Sequence, residues 1–376
     1  MPTTPLSLRT VPLHAASGTH HVHVYVGSPP QRQTLIVDTG SRLMAFPCQP
    51  CRACGTHASN YFNPKLSTTD RKPECGACLL EGVSICSTFN KDCIITQKYT
   101  EGSSWTAHEV EDLVWLGSER KEESLDDYMK LAVPYPFGCQ TSEKGLFRKQ
   151  YADGILGLAI HQSSFIQALF DAQAIPRNSF SLCMTKEGGT LSLGGANSES
   201  EMAYTRISRE HGWYAVEVMD VKLDHSCVAC LNSTELIAFR SGKGTILDSG
   251  TTDTYFPLAM ATRFGQVWKD LTGMTYAQRK RSYTFIEYQL LPKIHVLFRG
   301  GANLTIFPEN YMEGLPKIIP WSSTVTLVNR VYLDEREGAV IGANAMIGHE
   351  IYFDTQGHTV GIVRSTCDDD TKSNNE

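Results

Sequence analysis

Two short stretches of this chain carry the residues best suited to chemistry. Ile36-Val37-Asp38-Thr39-Gly40-Ser41 recurs 210 residues later as Ile246-Leu247-Asp248-Ser249-Gly250-Thr251. Each is an apolar pair leading into Asp, a hydroxyl residue, Gly and a second hydroxyl residue. One Asp-hydroxyl-Gly triplet means little, because Asp and Gly are ordinary turn formers. Two of them, each entered by an apolar strand in its own half of the chain, form a specific pattern. Two carboxylates brought within hydrogen-bond reach cannot both ionise cheaply, so such a pair holds one proton between them. The ionised member can take a proton from a bound water that attacks a carbonyl, while the protonated member stabilises the developing oxyanion and later protonates the leaving group. That chemistry needs no metal and no organic cofactor. Gly40 and Gly250 remove side chains where loop backbones approach closely, and the hydroxyls of Thr39 and Ser249 are placed to tie the two loops together. Ser41 and Thr251 are placed to hydrogen-bond the outer carboxylate oxygens, so all four hydroxyls would pre-organise the pair.

The elements around these loops read as strands. Short β-branched and aromatic runs alternate with Gly, Pro, Asn and Ser clusters, the pattern of an all-β protein with a few short helices. His21-Val22-His23-Val24-Tyr25-Val26 alternates, Gly27-Ser28-Pro29-Pro30 turns the chain, and Thr34-Leu35-Ile36-Val37 begins a second strand that delivers Asp38 at its end. Helical spacing appears in Ser163 to Ala174, with Ser163 or Ser164 as cap, and in Pro257 to Leu271. The second stretch would align Leu258, Ala261, Phe264, Val267, Trp268 and Leu271 on one apolar stripe. A further echo, Gly154-Ile155-Leu156-Gly157-Leu158 answered by Ala339-Val340-Ile341-Gly342-Ala343, follows the Asp loops in the same order. Two related lobes explain that order more simply than chance. The expected division is a lobe over 1–196, a linker over 197–211, a second lobe over 212–367 and an acidic polar tail over 368–376.

The chain has 376 residues, 41% hydrophobic and 20% charged, with a formal net charge of -6. That balance gives no basic footprint for nucleic acid or an anionic membrane, and no apolar run is long enough to span a bilayer. Twelve cysteines and the sequons at Asn232 and Asn303 point to an oxidising, glycosylating compartment, the lumen of the secretory pathway or the exterior. A signal peptide and any membrane anchor are therefore expected to be absent from this chain. Cys48, Cys51, Cys54, Cys75, Cys78, Cys86 and Cys93 crowd one segment. The C-x2-C-x2-C run beside His57 raises zinc, but the spacings do not resolve into tetrahedral sets, so disulfides and no metal are the expectation. With Cys139 the segment makes eight. Cys183, Cys227, Cys230 and Cys367 remain, so every cysteine has a possible partner, and Cys227 with Cys230 is the local pair. The histidines, His57, His161 and His349 among them, show no spacing beyond ordinary surface or loop usage.

The paired loops and their order resemble the pepsin-like aspartic proteases over roughly Val22 to Val363. Leu291-Pro292-Lys293-Ile294, Tyr352-Phe353-Asp354 and Val360-Gly361-Ile362 agree with that resemblance. It implies a bilobal fold with the active site in the cleft between lobes, Asp38 and Asp248 as the catalytic pair, and a peptide or protein substrate; a monomer is the default expectation. It also implies that Tyr99-Thr100-Glu101-Gly102-Ser103-Ser104 is the β-hairpin flap, with Tyr99 folding over the substrate, and that Cys183 pairs with Cys367. One departure concerns the tryptophan that this family often carries seven residues after the first Asp, where it supports the flap tyrosine. Ala45 stands there, so the flap and the substrate pockets are expected to differ from pepsin's.

Phe46-Pro47-Cys48, Cys51, Cys54-Gly55, His57 and Phe62, together with Tyr99, Glu101-Gly102-Ser103, Phe137-Gly138-Cys139-Gln140 and Gln150, resemble most the plasmepsin V type. That likeness implies an endoplasmic-reticulum or Golgi protease cutting exported proteins after Arg-x-Leu, with Glu101 and Gln150 holding the arginine. By residue type alone, Glu101 fits a solvated hairpin tip and Gln150 a strand-end polar group equally well. Two alternatives stand beside this reading: a broad-specificity secreted protease, and a pepsin-fold binding or inhibitor protein without catalysis. Damage at one Asp or its Gly would favour the last, and both triplets are intact.

Overall fold

In the computed structural model, residues 8–89, 91–117, 132–208, 212–230, 233–314 and 324–367 are described. The chain is predominantly β with a few short helices. It divides into two compact units, Met1–Asn178 with Leu191–Gly194, and Ser179–Thr190 with Gly195–Glu376.

Among the described residues the first unit contains β1 Arg9–Ala16, β2 Thr19–Val26, β3 Gln31–Asp38, β4 Met44–Pro47, β5 Ile85–Cys86, β6 Cys93–Lys98, β7 Ser104–Leu116, β8 Val133–Lys144 and β9 Gly154–Gly157, with the end of the strand Gly188–Leu193. β2 and β3 form the antiparallel hairpin read from the sequence, with Val26 opposite Gln31 and His21 opposite Ile36. Their period-2 pattern sends Val22, Val24 and Val26 into the core and His21, His23 and Tyr25 to the other face. At the turn Gly27 has φ +81°, and a Cβ there would lie 2.7 Å from Ser67 Oγ, so only glycine fits. β3 then runs parallel to β9, pairing Asp38 with Gly157. A Cβ on Gly157 would come within 2.4 Å of Leu43 N, which explains the bare backbone of the apolar-apolar-Gly strand.

β6 and β7 make a hairpin around Thr100, Glu101 and Gly102, closed by Tyr99 N donating to Ser103 O at 2.9 Å. The helix beginning at Phe165 takes Ser164 as its N-cap, whose side chain accepts from Gln167 N, and runs only to Asp171. Disulfides Cys48–Cys139, Cys51–Cys54, Cys75–Cys86 and Cys78–Cys93 staple the cysteine-rich segment. Buried Glu109 on β7 also holds it, accepting from the backbone N–H groups of Leu79 and Leu80 and from the Ser84 hydroxyl.

The second unit repeats the central motif. Strand Thr245–Leu247, which leads into Asp248, runs parallel to Ala339–Ile341 with Leu247 opposite Ile341. Ser179–Met184, His349–Asp354 and Thr359–Arg364 pair antiparallel in turn. Within 197–211 the structure places a strand, Ala203–Ser208, paired to Thr359–Arg364 and burying Thr205 and Ile207 alternately. Residues 209–211 and the tail 368–376 lie outside the described residues.

The second helical stretch departs from its expected stripe. A 3-10 turn, Leu258–Met260, precedes the α-helix Ala261–Thr272, which buries Phe264, Val267, Trp268 and Thr272 and ends at Gly273 with φ +70°. Leu258 and Leu271 are exposed. The tighter opening turn rotates Leu258 off the apolar face. At the other end Thr272, four residues after Trp268, occupies the inward position that Leu271 misses by one helical step.

Candidate active site

Each Asp loop holds its carboxylate with the same local donors. Gly40 N donates to Asp38 Oδ1 at 2.8 Å and the Ser41 hydroxyl donates to Oδ2. In the second unit Gly250 N donates to Asp248 Oδ1 at 3.0 Å and the Thr251 hydroxyl to Oδ2 at 2.6 Å. Thr251 N adds a contact to Oδ1 at 3.2 Å. Donors two and three residues downstream pin the plane of the carboxylate without any long side chain. Thr39 and Ser249 are fully buried.

The strand behind each loop anchors it. Leu158 N donates to Asp38 O at 2.7 Å and Ala159 N to Ser41 O at 2.8 Å. Correspondingly, Asp248 N donates to Ile341 O at 3.0 Å and Ala343 N to Thr251 O at 2.8 Å. Buried Asp153, a residue whose role sequence reading did not single out, accepts from Thr34 N at 2.5 Å and Ser59 N at 2.7 Å, tying the root of β3 to the segment entering β9.

Tyr99 sits at the base of its hairpin, against Phe147 at 5.0 Å between ring centroids. Burial first, and the Asp38 carboxylate second, push its phenol well above the ordinary value, so it stays a neutral donor. It hydrogen-bonds Ser41, which donates in turn to Asp38. The indole Nε1 of Trp105 donates to the Tyr99 oxygen at 3.3 Å. Trp105 packs in one cluster with Ala45, Leu43, Ala107 and Phe147. The tryptophan missing at position 45 is thus replaced from the return strand of the hairpin. Spacing from Asp38 could not reveal this; the only signal was the inward parity that Trp105 shares with Ala107 on β7.

Glu101 is exposed at the hairpin tip beside Gly102, whose φ is +93°. Half-buried Gln150 donates its amide to Ala152 O at 3.2 Å, and its own carbonyl contacts His57 Nδ1 at 3.2 Å. The other His57 nitrogen meets Glu143 Oε2 at 3.1 Å, both side chains being fully buried. Burial opposes charge on His57, but the hydrogen bond and charge of Glu143 outweigh it and raise the His57 pKa. Sequence reading missed Glu143, which offers no local spacing to His57.

Cys183 is bonded to Cys367 and Cys227 to Cys230, leaving no free cysteine among the described residues. Asn303 is exposed at a strand start, whereas Asn232 lies outside the described residues. No helix among the described residues is long and apolar enough to cross a membrane.

Comparison with known proteins concerns the chain as a whole. The family described as eukaryotic aspartyl protease matches residues 130–364. The chain belongs to that family. The xylanase inhibitor N-terminal family matches residues 20–195. Aspartic protease 5 of Toxoplasma gondii is 29% identical over 397 residues, covering 93% of this chain and 36% of that protein. Plasmepsin V of Plasmodium falciparum is 30% identical over 180 residues, 47% of this chain and 29% of the relative. Aspartic proteinase nepenthesin-2 of Nepenthes gracilis is 25% identical over 95% of this chain and 80% of its own length. The chain thus spans about a third of the first of these relatives and less of the second.

Proposed function

We propose that this aspartyl protease family chain hydrolyses peptide bonds, with Asp38 and Asp248 sharing one proton and activating a water between them. The observation that carries the reading is the duplicated donor set, in which each carboxylate is fixed by the N–H two residues on and the hydroxyl three residues on. An inhibitor-type module has no need for two carboxylates held this way, so the match to an inhibitor N-terminal family describes shared architecture. Tyr99, fixed by Trp105, would close over the substrate and exclude water, with Thr39 and Ser249 supporting the pair. The expected lobes are read onto the two units, with Ser179–Thr190 and the expected linker falling in the second, and the six disulfides support synthesis in an oxidising compartment, where Asn303 would be open to glycosylation.

For specificity we propose an arginine preference of the Arg-x-Leu kind, read by Glu101 from the flap and by Gln150. An anionic flap tip and a fixed amide suit a planar guanidinium through charge-assisted bonds, and the similarity to Plasmepsin V and Aspartic protease 5 supports it. The test is cleavage of matched Arg-x-Leu and Ala-x-Leu peptides from acid to neutral pH. Cutting of the arginine peptide alone, with the preference lost in Glu101→Ala, is the expected result. Equal cutting of both would retain the protease and discard the arginine pocket. Cutting of neither by folded protein would remove the catalytic reading.

A further inference from the structure

Gln150, one of the two residues assigned to the arginine, is held by a contact that can titrate. Beyond the Cys51–Cys54 bond, the chain from Gly55 to Ser59 runs beside residues 148–153. A Cβ on Gly55 would overlap the backbone carbonyl of Arg148, so only glycine allows the approach. Ala58 N donates to Tyr151 O at 3.0 Å, and Ser59 N to Asp153 Oδ1 at 2.7 Å. Between these contacts His57 reaches two acceptors at once, the Gln150 carbonyl with Nδ1 at 3.2 Å and Glu143 Oε2 with Nε2 at 3.1 Å. A carbonyl and a carboxylate accept and do not donate, so only the doubly protonated imidazolium satisfies both. Neutral imidazole carries one N–H and must leave one acceptor unmet. Glu143 has little to fall back on: Gly55 N donates to the same Oε2 at 3.0 Å, and buried Oε1 has no hydrogen-bond partner among the described residues. Both side chains are fully buried, so a lost bond is not exchanged for one to bulk water.

We propose that His57 is a positioning residue for the arginine subsite, its imidazolium clamping the Gln150 backbone to Glu143 so that arginine preference follows the protonation of His57. This deepens the Arg-x-Leu reading and rests on it. Gln150 has two further ties, its own N–H to Leu146 O at 2.9 Å and its side-chain amide to Ala152 O at 3.2 Å, and neither titrates. Loss of the His57 proton therefore frees the Gln150 carbonyl while the turn around it stays in place. The groups that face His57 are Glu143 from β8, Asp153 from the segment entering β9, and Tyr61 from its own loop. The Tyr61 ring centroid lies 6.4 Å away, its hydroxyl donates to Gly55 O, and Arg148 acts on it from the 3-10 turn Gly145–Arg148. Burial opposes charge on the His57 ring, and Glu143 first, then the Gln150 carbonyl and Asp153, outweigh it and hold the pKa above the ordinary 6.5. The clamp is therefore closed below 6.5 and opens as pH rises through the raised value.

The test uses the full chain and two non-cleavable reduced-amide peptides, one with Arg and one with Ala at the arginine position of Arg-x-Leu. Kd is measured for both from pH 5.5 to 9. The ratio of the Ala to the Arg constant cancels the titration of Asp38 and Asp248, which both peptides experience, and the peptide's arginine stays charged throughout. The expected ratio is flat up to about pH 6.5 and falls about fivefold, one hydrogen bond's worth, as pH rises through the folded His57 value. Glu143→Gln removes the charge that raises His57 and should move that fall to lower pH. His57→Gln, whose one amide nitrogen cannot reach both acceptors, should show the low ratio at every pH. A ratio that stays high across the range, or a fall left in place by both variants, would overturn the inference and keep the arginine pocket. Weakening of both peptides in step would likewise overturn it, marking His57 as a contact of the fold alone. Equal binding of the two peptides at every pH would remove the pocket and the inference together.

Discussion

The two Asp loops are held alike and surrounded differently. Behind Asp38 the support runs outward from the carboxylate through Ser41 and Tyr99 to Trp105, so the first loop is coupled to the β6–β7 hairpin. Behind Asp248 it runs inward. Beyond the strand contact that both loops share, Thr254 donates to Asn344 at 2.7 Å and accepts from Gly342 N at 3.2 Å, and Asn344 N donates to Thr252 O at 3.1 Å, all within packed interior. The carboxylate itself is positioned by residues two and three places downstream, so it is the same in both units. What lies beyond those residues is free to differ; on the proposed reading both units take part in the proton chemistry and the first alone carries the flap.

The hardest test of equivalence is removal of each carboxylate. On the proposed acid–base reading Asp38→Ala and Asp248→Ala should each lower kcat/KM by at least about 10³-fold; a large inequality between the two would break the comparison. Next in size is a contrast between buried histidines, one in each unit. His349 is pushed down to about 4, by burial first, and its Nε2 accepts from Thr305 N at 3.4 Å. Its folded pKa is depressed, so its contribution is present above pH 6.5 and is lost as pH falls through about 4, amounting to about 3 kcal/mol. Urea unfolding from pH 7 to 4 should show that loss flattened in His349→Gln. His57 has the opposite sign. Its raised pKa gives stability that is full below 6.5 and declines as pH rises through the folded value, and Glu143→Gln should remove that decline.

Smaller effects separate the two supports. Ser41→Ala and Thr251→Ala each delete one charge-assisted bond, worth about 1–3 kcal/mol or roughly tenfold to a hundredfold in kcat/KM. Ser41→Ala should be the worse because it also cuts the link to Tyr99, and the reverse order would show that the flap relay is idle. Smallest should be Trp105→Phe, which keeps the packing and loses one hydrogen bond, about 1 kcal/mol or fivefold. The loss is expected in activity and not in melting temperature; an equal fall in both would make Trp105 a core residue only.

Much of this was visible before any coordinates, for local reasons. The Asp loops, the β2–β3 hairpin and a serine cap at Ser163 or Ser164, which the fold places at Ser164, depend on residues within a few positions of one another, so their spacing declared them. The stripe of the second long helix was overdrawn because periodicity does not show where a 3-10 turn gives way to an α-helix. Trp105 beneath Tyr99, Glu143 beside His57 and the Cys48–Cys139 bond were hidden, since each joins residues whose proximity depends on which strands become neighbours.

The amino-acid sequence by itself determined the chemistry available to this protein: two carboxylates, each entered by an apolar strand and followed by its own donors, because those contacts close within four residues. Only the tertiary structure decided which side chains stand behind that chemistry. Strand pairing brings Trp105 to the place left empty at Ala45, because register across a sheet links residues that no spacing along the chain relates.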